Sequence, residues 1–301
     1  MASGVSLSSV RASHAMDLDG LGEAADLQLD SERTVRYLRA GSGPPLVLLH
    51  TIRTQLEYFV DVIPMLARNY TVYVLDLPGH GRSSKPTTVE YDEPYLRRGV
   101  IDTITKLGLR DVTVVGDSIG AVLALTVASE MPQAVTRVVA SNPYDYETRF
   151  ADGIRRGNRL ADVILGGVAL PVVGPALGAA ENKSVTSHIM QGGLAEGKKV
   201  PEPLLDEFEA TLKRPGFHYV ERNVYLNWRS WGAARDLYGS ITAPVTLVYG
   251  EQDWSRPDER ARTAQALGVE PIILPETGHF AFLEHPQRLA EIVIGHPVPL
   301  S

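Results

Sequence analysis

The pentapeptide Gly116-Asp117-Ser118-Ile119-Gly120 sets a serine between two flanking glycines. A serine hydroxyl is a weak nucleophile near neutral pH. It becomes effective beside a base that takes its proton and a carboxylate that fixes the tautomer of that base. Both partner types occur downstream: Asp253 in Gly250-Glu251-Gln252-Asp253, and His279 in Glu276-Thr277-Gly278-His279-Phe280. Ser118, Asp253 and His279 are therefore the candidate catalytic residues. The chemistry they suit is acyl transfer through a covalent intermediate, which calls for no metal and no organic cofactor. Chance alone produces such a pentapeptide about 0.15 times in a chain of this size and composition, so its weight rests on the elements around it.

Those elements fit. Residues 112–115 read as a buried strand and 121–131 as a helix rich in Ala and Leu, so the serine sits in a sharp turn whose glycines remove side-chain clashes. Asp253 follows a predicted strand at 245–249 and His279 follows one at 271–274, which puts both at strand C-termini, where open α/β sheets meet ligand. An opening hairpin is expected from 27–29 and 34–39, with further strands at 46–50, 71–76 and 137–140. Helices are expected at 91–107, 257–267 and 286–294. Alternating strands and helices of this kind predict an α/β fold with a mostly parallel sheet covered on both faces. Between 142 and 240 the rhythm breaks into helical stretches at 146–165, 203–213 and 219–237, so 143–239 reads as an inserted helical cap. The core is then 25–142 with 240–301, preceded by a loose arm over 1–24.

Composition narrows the possible functions. The 301 residues carry a formal charge of -7 with no dense basic block, which argues against a nucleic-acid partner. There is no cysteine, so thiolate nucleophiles, disulfides and Cys-ligated zinc are excluded. The uncharged run 163–180 is broken by glycines and prolines and does not read as a membrane span. The first 16 residues lack a secretory apolar stretch, so the cytoplasm is the expected location.

Taken together, the strand at 46–50, Asp76-Leu77-Pro78-Gly79-His80-Gly81-Arg82-Ser83, the serine turn, Gly250 to Asp253, and Gly278-His279 resemble the α/β-hydrolase superfamily over roughly 27–294. The resemblance is to its capped branch, which includes esterases, haloalkane dehalogenases, epoxide hydrolases and carbon-carbon bond hydrolases. It implies the α/β-hydrolase fold, the triad in the order Ser118, Asp253, His279, and an oxyanion hole formed by the backbone N–H groups of Ile52 and Ile119. Dehalogenases and epoxide hydrolases of the branch use a carboxylate nucleophile, so Ser118 points instead to ester hydrolysis of a hydrophobic or medium-sized small molecule. Carbon-carbon, lactone or amide cleavage by the same triad and a triad-bearing small-molecule receptor are the other readings.

Two departures stand out. Thr51-Ile52-Arg53 follows His50 where the family usually has glycine, and Asp117 precedes the nucleophile, where it is expected to pair with Arg53 or Arg82. Arg53 is otherwise expected at the surface. Asp145 is the rival acid to Asp253, and His80 and His285 read as structural. Trp228, Trp231 and Trp254 are candidate substrate-binding residues, although Tyr225, Trp228 and Trp231 at helical spacing also suit core packing. The run 163–180 is expected to face a pocket as a glycine-hinged lid.

Overall fold

The computed structural model describes residue 18 and residues 20–146 and 148–295, so most of the expected N-terminal arm lies outside the described residues. An 8-stranded sheet forms from β1 (Glu23–Gln28), β2 (Thr34–Ala40), β3 (Pro45–Leu49), β4 (Thr71–Leu75), β5 (Val112–Asp117), β6 (Val135–Ser141), β7 (Val245–Gly250) and β8 (Ile272–Leu274). Its spatial order is β1-β2-β4-β3-β5-β6-β7-β8. β2 pairs antiparallel with β1 and β4, and every later neighbour pair is parallel. The near-continuous apolar runs of β3 and β5 suit strands covered on both faces, and all residues of β5 are buried. β1 is an exposed edge whose Glu23 and Asp26 discourage pairing with another chain.

The helices before β6 are α1 (Ile63–Leu66), α2 (Glu93–Lys106) and α3 (Ile119–Glu130). α2 starts where the Asp92 side chain accepts the Tyr95 N–H, and Gly108, at φ 65, follows its end. α3 begins two residues earlier than its Ala and Leu content predicts, because the turn before it is compressed to Ser118.

Between β6 and β7 come α4 (Asp152–Gly157), α5 (Arg159–Val168), α6 (Gly174–Ala179), α7 (Lys183–Gln191), α8 (Glu202–Leu212), α9 (Phe217–Leu226) and α10 (Trp228–Ala233), then a 3-10 stretch at Ala234–Ser240. The stretch predicted as one helix over 146–165 is broken at Asn158, whose side chain accepts the Ala161 N–H at 2.7 Å and starts α5 afresh. α6 escapes sequence patterning because the glycines and prolines of 166–178 hide any helical period; α7, begun where the Asn182 side chain accepts the Ser184 and Val185 N–H groups, lies outside the predicted helices. The chain closes with α11 (Pro257–Leu267), α12 (Ala281–Glu284) and α13 (Pro286–Ile294). None of the described helices is long and apolar enough to cross a membrane.

The strand order reverses between β3 and β5, so the loops leaving their C-terminal ends diverge and open a crevice at that edge. Ser118 leaves β5 and the segment 50–53 leaves β3, which brings both to this switch point.

Candidate active site

Ser118 has φ 59 and ψ -118, a conformation that L-residues rarely adopt and that needs support from its surroundings. The flanking glycines provide it. A Cβ on Gly116 would lie 2.0 Å from the Gly120 carbonyl oxygen, and one on Gly120 would lie 2.1 Å from that of Leu49. Only a chain without side chains at both places can bring β5, the turn and β3 this close. The Ser118 N–H donates to the Ser141 carbonyl at 2.9 Å, tying the turn to β6.

Three side chains 26 and 161 residues apart meet here. Ser118 Oγ lies 2.8 Å from His279 Nε2. The other ring nitrogen, Nδ1, is hydrogen-bonded to Asp253 Oδ1. Ser255 donates to Asp253 Oδ2 through its N–H at 2.9 Å and also through its hydroxyl. Burial raises the Asp253 carboxyl, but the His279 ring and the Ser255 donors outweigh it and hold the group below the ordinary carboxylate range. Such a row can pass a proton from hydroxyl to imidazole while the carboxylate steadies the imidazolium. Ser118 and His279 are fully buried, as is the Asp253 side chain, so the row is sealed from solvent.

Several residues that carried no signal in the sequence hold the row in place. Asn142, at φ 46, accepts the Gly250 N–H on Oδ1 at 2.8 Å and donates from Nδ2 to the His279 carbonyl at 2.9 Å. One side chain thus links the segment bearing the acid to the segment bearing the base. Glu284 accepts the N–H groups of Gly278 and Ala195, at 3.0 and 2.8 Å. The His279 N–H donates to the Gly193 carbonyl at 2.6 Å, so the connection after α7 packs directly over the imidazole loop. Trp254 stacks on the imidazole with ring centroids 3.9 Å apart, and its indole N–H donates to the Gly192 carbonyl at 2.9 Å.

The departures resolve differently from expectation. Asp117 pairs with neither Arg53 nor Arg82; it is buried and accepts the Tyr58 hydroxyl. Arg53 is not at the surface. Its backbone, at φ 64, turns the side chain toward the helical segment, where it pairs with Glu181 and with Glu221, the latter at 3.3 Å. Arg82 is exposed and reaches Glu207 at 3.7 Å. The rival acid Asp145 accepts the Thr263 hydroxyl at 2.9 Å and makes no contact with His279. His50 and His80 pack edge to face, and burial holds them down at about 4 and about 3. Both are neutral scaffold groups; His50 Nε2 accepts the Leu77 N–H at 3.0 Å.

Burial pushes Asp117 up to about 7, against smaller opposing contributions from His279 and Tyr58. The folded protein therefore keeps a proton on Asp117 that the unfolded chain releases near pH 4. The stability tied to that proton is full below about pH 4 and is lost as the pH rises through about 7. Asp117→Asn, which can still accept the Tyr58 hydroxyl, is expected to make the fall in melting temperature between about pH 4 and 7 shallower. A wild-type slope retained in thermal unfolding scans of the variant would remove Asp117 as its source.

Ile52 is buried in the turn after β3, and Ile119 is the first residue of α3, so its N–H has no acceptor within that helix. Of the three tryptophans, Trp254 reaches the row at His279, whereas Trp231 is buried in the core, where α10 packs on α2. Trp228 lies under the Arg229 guanidinium, 4.2 Å from it. Neither Trp228 nor Trp231 lines the cavity of about 490 Å³ enclosed by α5, α6, α7 and α9, but Tyr225 does, together with much of the run 163–180. None of Ser118, Asp253 and His279 is in that lining; Arg53, next in the chain to Ile52, is.

The fold and this site define a class. Residues 46–292 match the model of the alpha/beta hydrolase family, and the chain belongs to that family. It is 24% identical over 274 residues to a 2-hydroxy-6-oxo-6-(2'-aminophenyl)hexa-2,4-dienoic acid hydrolase of Metapseudomonas resinovorans, covering 86% of each chain. It is 25% identical over 269 residues to a pimeloyl-[acyl-carrier protein] methyl ester esterase of Aeromonas hydrophila, covering 86% of this chain and 98% of that one. The fold superposes on the crystal structure of a serine hydrolase involved in carbazole degradation with a TM-score of 0.71 at 21% identity, covering 91% and 97% of the two chains.

Proposed function

We propose that the protein is a serine hydrolase that cleaves a carboxylic ester of a hydrophobic or medium-sized molecule through an acyl-enzyme. The observation that carries this reading is the Ser118 Oγ to His279 Nε2 contact of 2.8 Å, continued from Nδ1 to Asp253. Ser118 attacks the acyl carbon as His279 takes its proton, and the backbone N–H groups of Ile52 and Ile119 receive the developing oxyanion. The imidazolium then protonates the leaving alcohol. Water, deprotonated by the same ring, attacks the acyl-enzyme and frees the acid. The helical segment 143–239 acts as the cap, and its displacement admits substrate to the buried serine. The aliphatic wall of the cavity and the likeness to a methyl ester esterase support an apolar ester.

Carbon-carbon cleavage by the same triad is the second reading. It is favoured by the likeness to a hydrolase named for a dienoic acid, which contains no ester. A panel of p-nitrophenyl esters from acetyl to decanoyl, run beside vinylogous diketones with the products identified, separates the two. Turnover is expected to rise with acyl chain length before falling; cleavage of the diketones alone would install the second reading, and inertness to both would end each of them.

A further inference from the structure

The cavity between α5, α6, α7 and α9 has a one-sided chemistry. Its body is aliphatic, with Ile164, Val168, Leu177, Val185 and Ile189 in the wall, and at about 490 Å³ it lies in the range of small-molecule sites. Its charged end is built by Arg53, Glu181 and Glu221. Arg53 and Glu221 are only 7% and 6% exposed, and they meet through Nη1 and Oε2 at 3.3 Å. Each nevertheless keeps one buried polar atom with no partner: Nε of Arg53 and Oε1 of Glu221. Buried donors and acceptors left unmatched are costly and uncommon in folded proteins. Arg53 is held in a left-handed conformation as well, a second local cost at the same residue.

The two vacant atoms specify what could satisfy them. One is a donor and the other an acceptor, and they sit on the two partners of a single ion pair, so a group that both donates and accepts is the chemical match. A hydroxyl does so, accepting from Arg53 Nε–H and donating to Glu221 Oε1. A carboxylate has no donor and adds negative charge beside Glu181 and Glu221. An ammonium has no acceptor and faces the guanidinium.

We propose that this cavity is a subsite for an aliphatic chain carrying a hydroxyl, with the hydroxyl bound between Arg53 and Glu221. The inference deepens the ester reading by adding a hydroxyl-bearing aliphatic chain to the substrate. Because Arg53 directly follows Ile52, ligand at this end also bears on the turn proposed to bind the oxyanion.

The test is a binding measurement on Ser118→Ala protein, so that it stands apart from whether esters are turned over. Calorimetry compares 1-octanol, heptyl methyl ether of equal size, and octanoate. Octanol is expected to bind about tenfold more tightly than the ether, with octanoate no tighter than the ether. Glu221→Leu should bring the octanol advantage to about one while ether binding persists, and Glu221→Met, which also lacks the carboxylate acceptor, provides the same reading if the leucine variant does not fold. Val168→Trp, or Leu177→Trp at a more exposed place in the wall, should abolish binding of all probes. Equal binding of octanol and ether, an advantage that survives both Glu221 variants, binding that persists in the tryptophan variants, or no octanol binding would each overturn the proposal. Ester turnover lost with Ser118 while octanol selectivity is absent would reject the subsite and leave the hydrolase reading standing.

Discussion

Ser118→Ala is expected to cut p-nitrophenyl ester turnover by at least about 10⁴-fold, because in the proposed mechanism the hydroxyl is the nucleophile of a row whose members act as a unit. The change removes one oxygen from a fully buried side chain and leaves both glycine contacts of the turn intact. The melting temperature should consequently stay close to that of the parent. His279→Ala should give a loss of the same order, and combining the two should cost little more than either alone. Residual turnover in Ser118→Ala comparable to that of the parent would assign the activity to some other group. A loss that coincides with unfolding would be read from circular dichroism and set aside in favour of Ser118→Gly.

Asn142→Gly is the second large effect, and it comes from a residue that touches no reacting atom. Glycine adopts φ 46 without strain, so the substitution isolates the two hydrogen bonds that link Gly250 to the His279 carbonyl. Losing them frees the acid-bearing and base-bearing segments to shift independently, and a misplacement near 1 Å at a catalytic constellation costs roughly 10²-fold. We expect kcat to fall by about 10- to 100-fold with KM little changed, alongside about 1 to 3 kcal/mol of lost stability from the orphaned Gly250 N–H. Asn142→Asp keeps the acceptor for that N–H and should recover most of the stability, but not kcat, since its second oxygen then faces the His279 carbonyl. Stability lost with kcat unchanged would make Asn142 a purely structural residue.

The site was legible in the sequence to an uneven degree. Ser118 directly follows a strand, and Asp253 and His279 lie three and five residues past the ends of theirs, so their arrival on one rim follows from strand direction in a parallel sheet, which apolar patterning and glycine turns reveal locally. Asn142 also follows a strand, but an asparagine before Pro143 reads equally well as a turn, and nothing in its neighbourhood announces partners at Gly250 and His279. Arg53 illustrates the same limit. From sequence it is expected either to pair with Asp117 or to lie at the surface, yet Asp117 is taken by Tyr58 and Arg53 reaches residues 128 and 168 positions away. Trp228 and Trp231 shared a helical spacing with Tyr225, but of the three only Tyr225 lines the cavity, because the break at Asn227 turns α10 toward α2.

By itself, then, the order of residues determined the alternation of strands and helices, the strained serine turn and the identity of three polar side chains at strand ends, because each depends on interactions within a few positions of the chain. Packing decided which loops close over the imidazole, which carboxylates receive Arg53, and where the one aliphatic cavity described lies relative to the nucleophile. Those outcomes depend on how α4 to α10 settle against the sheet, and that balance of burial and hydrogen bonding is struck between segments far apart in the chain.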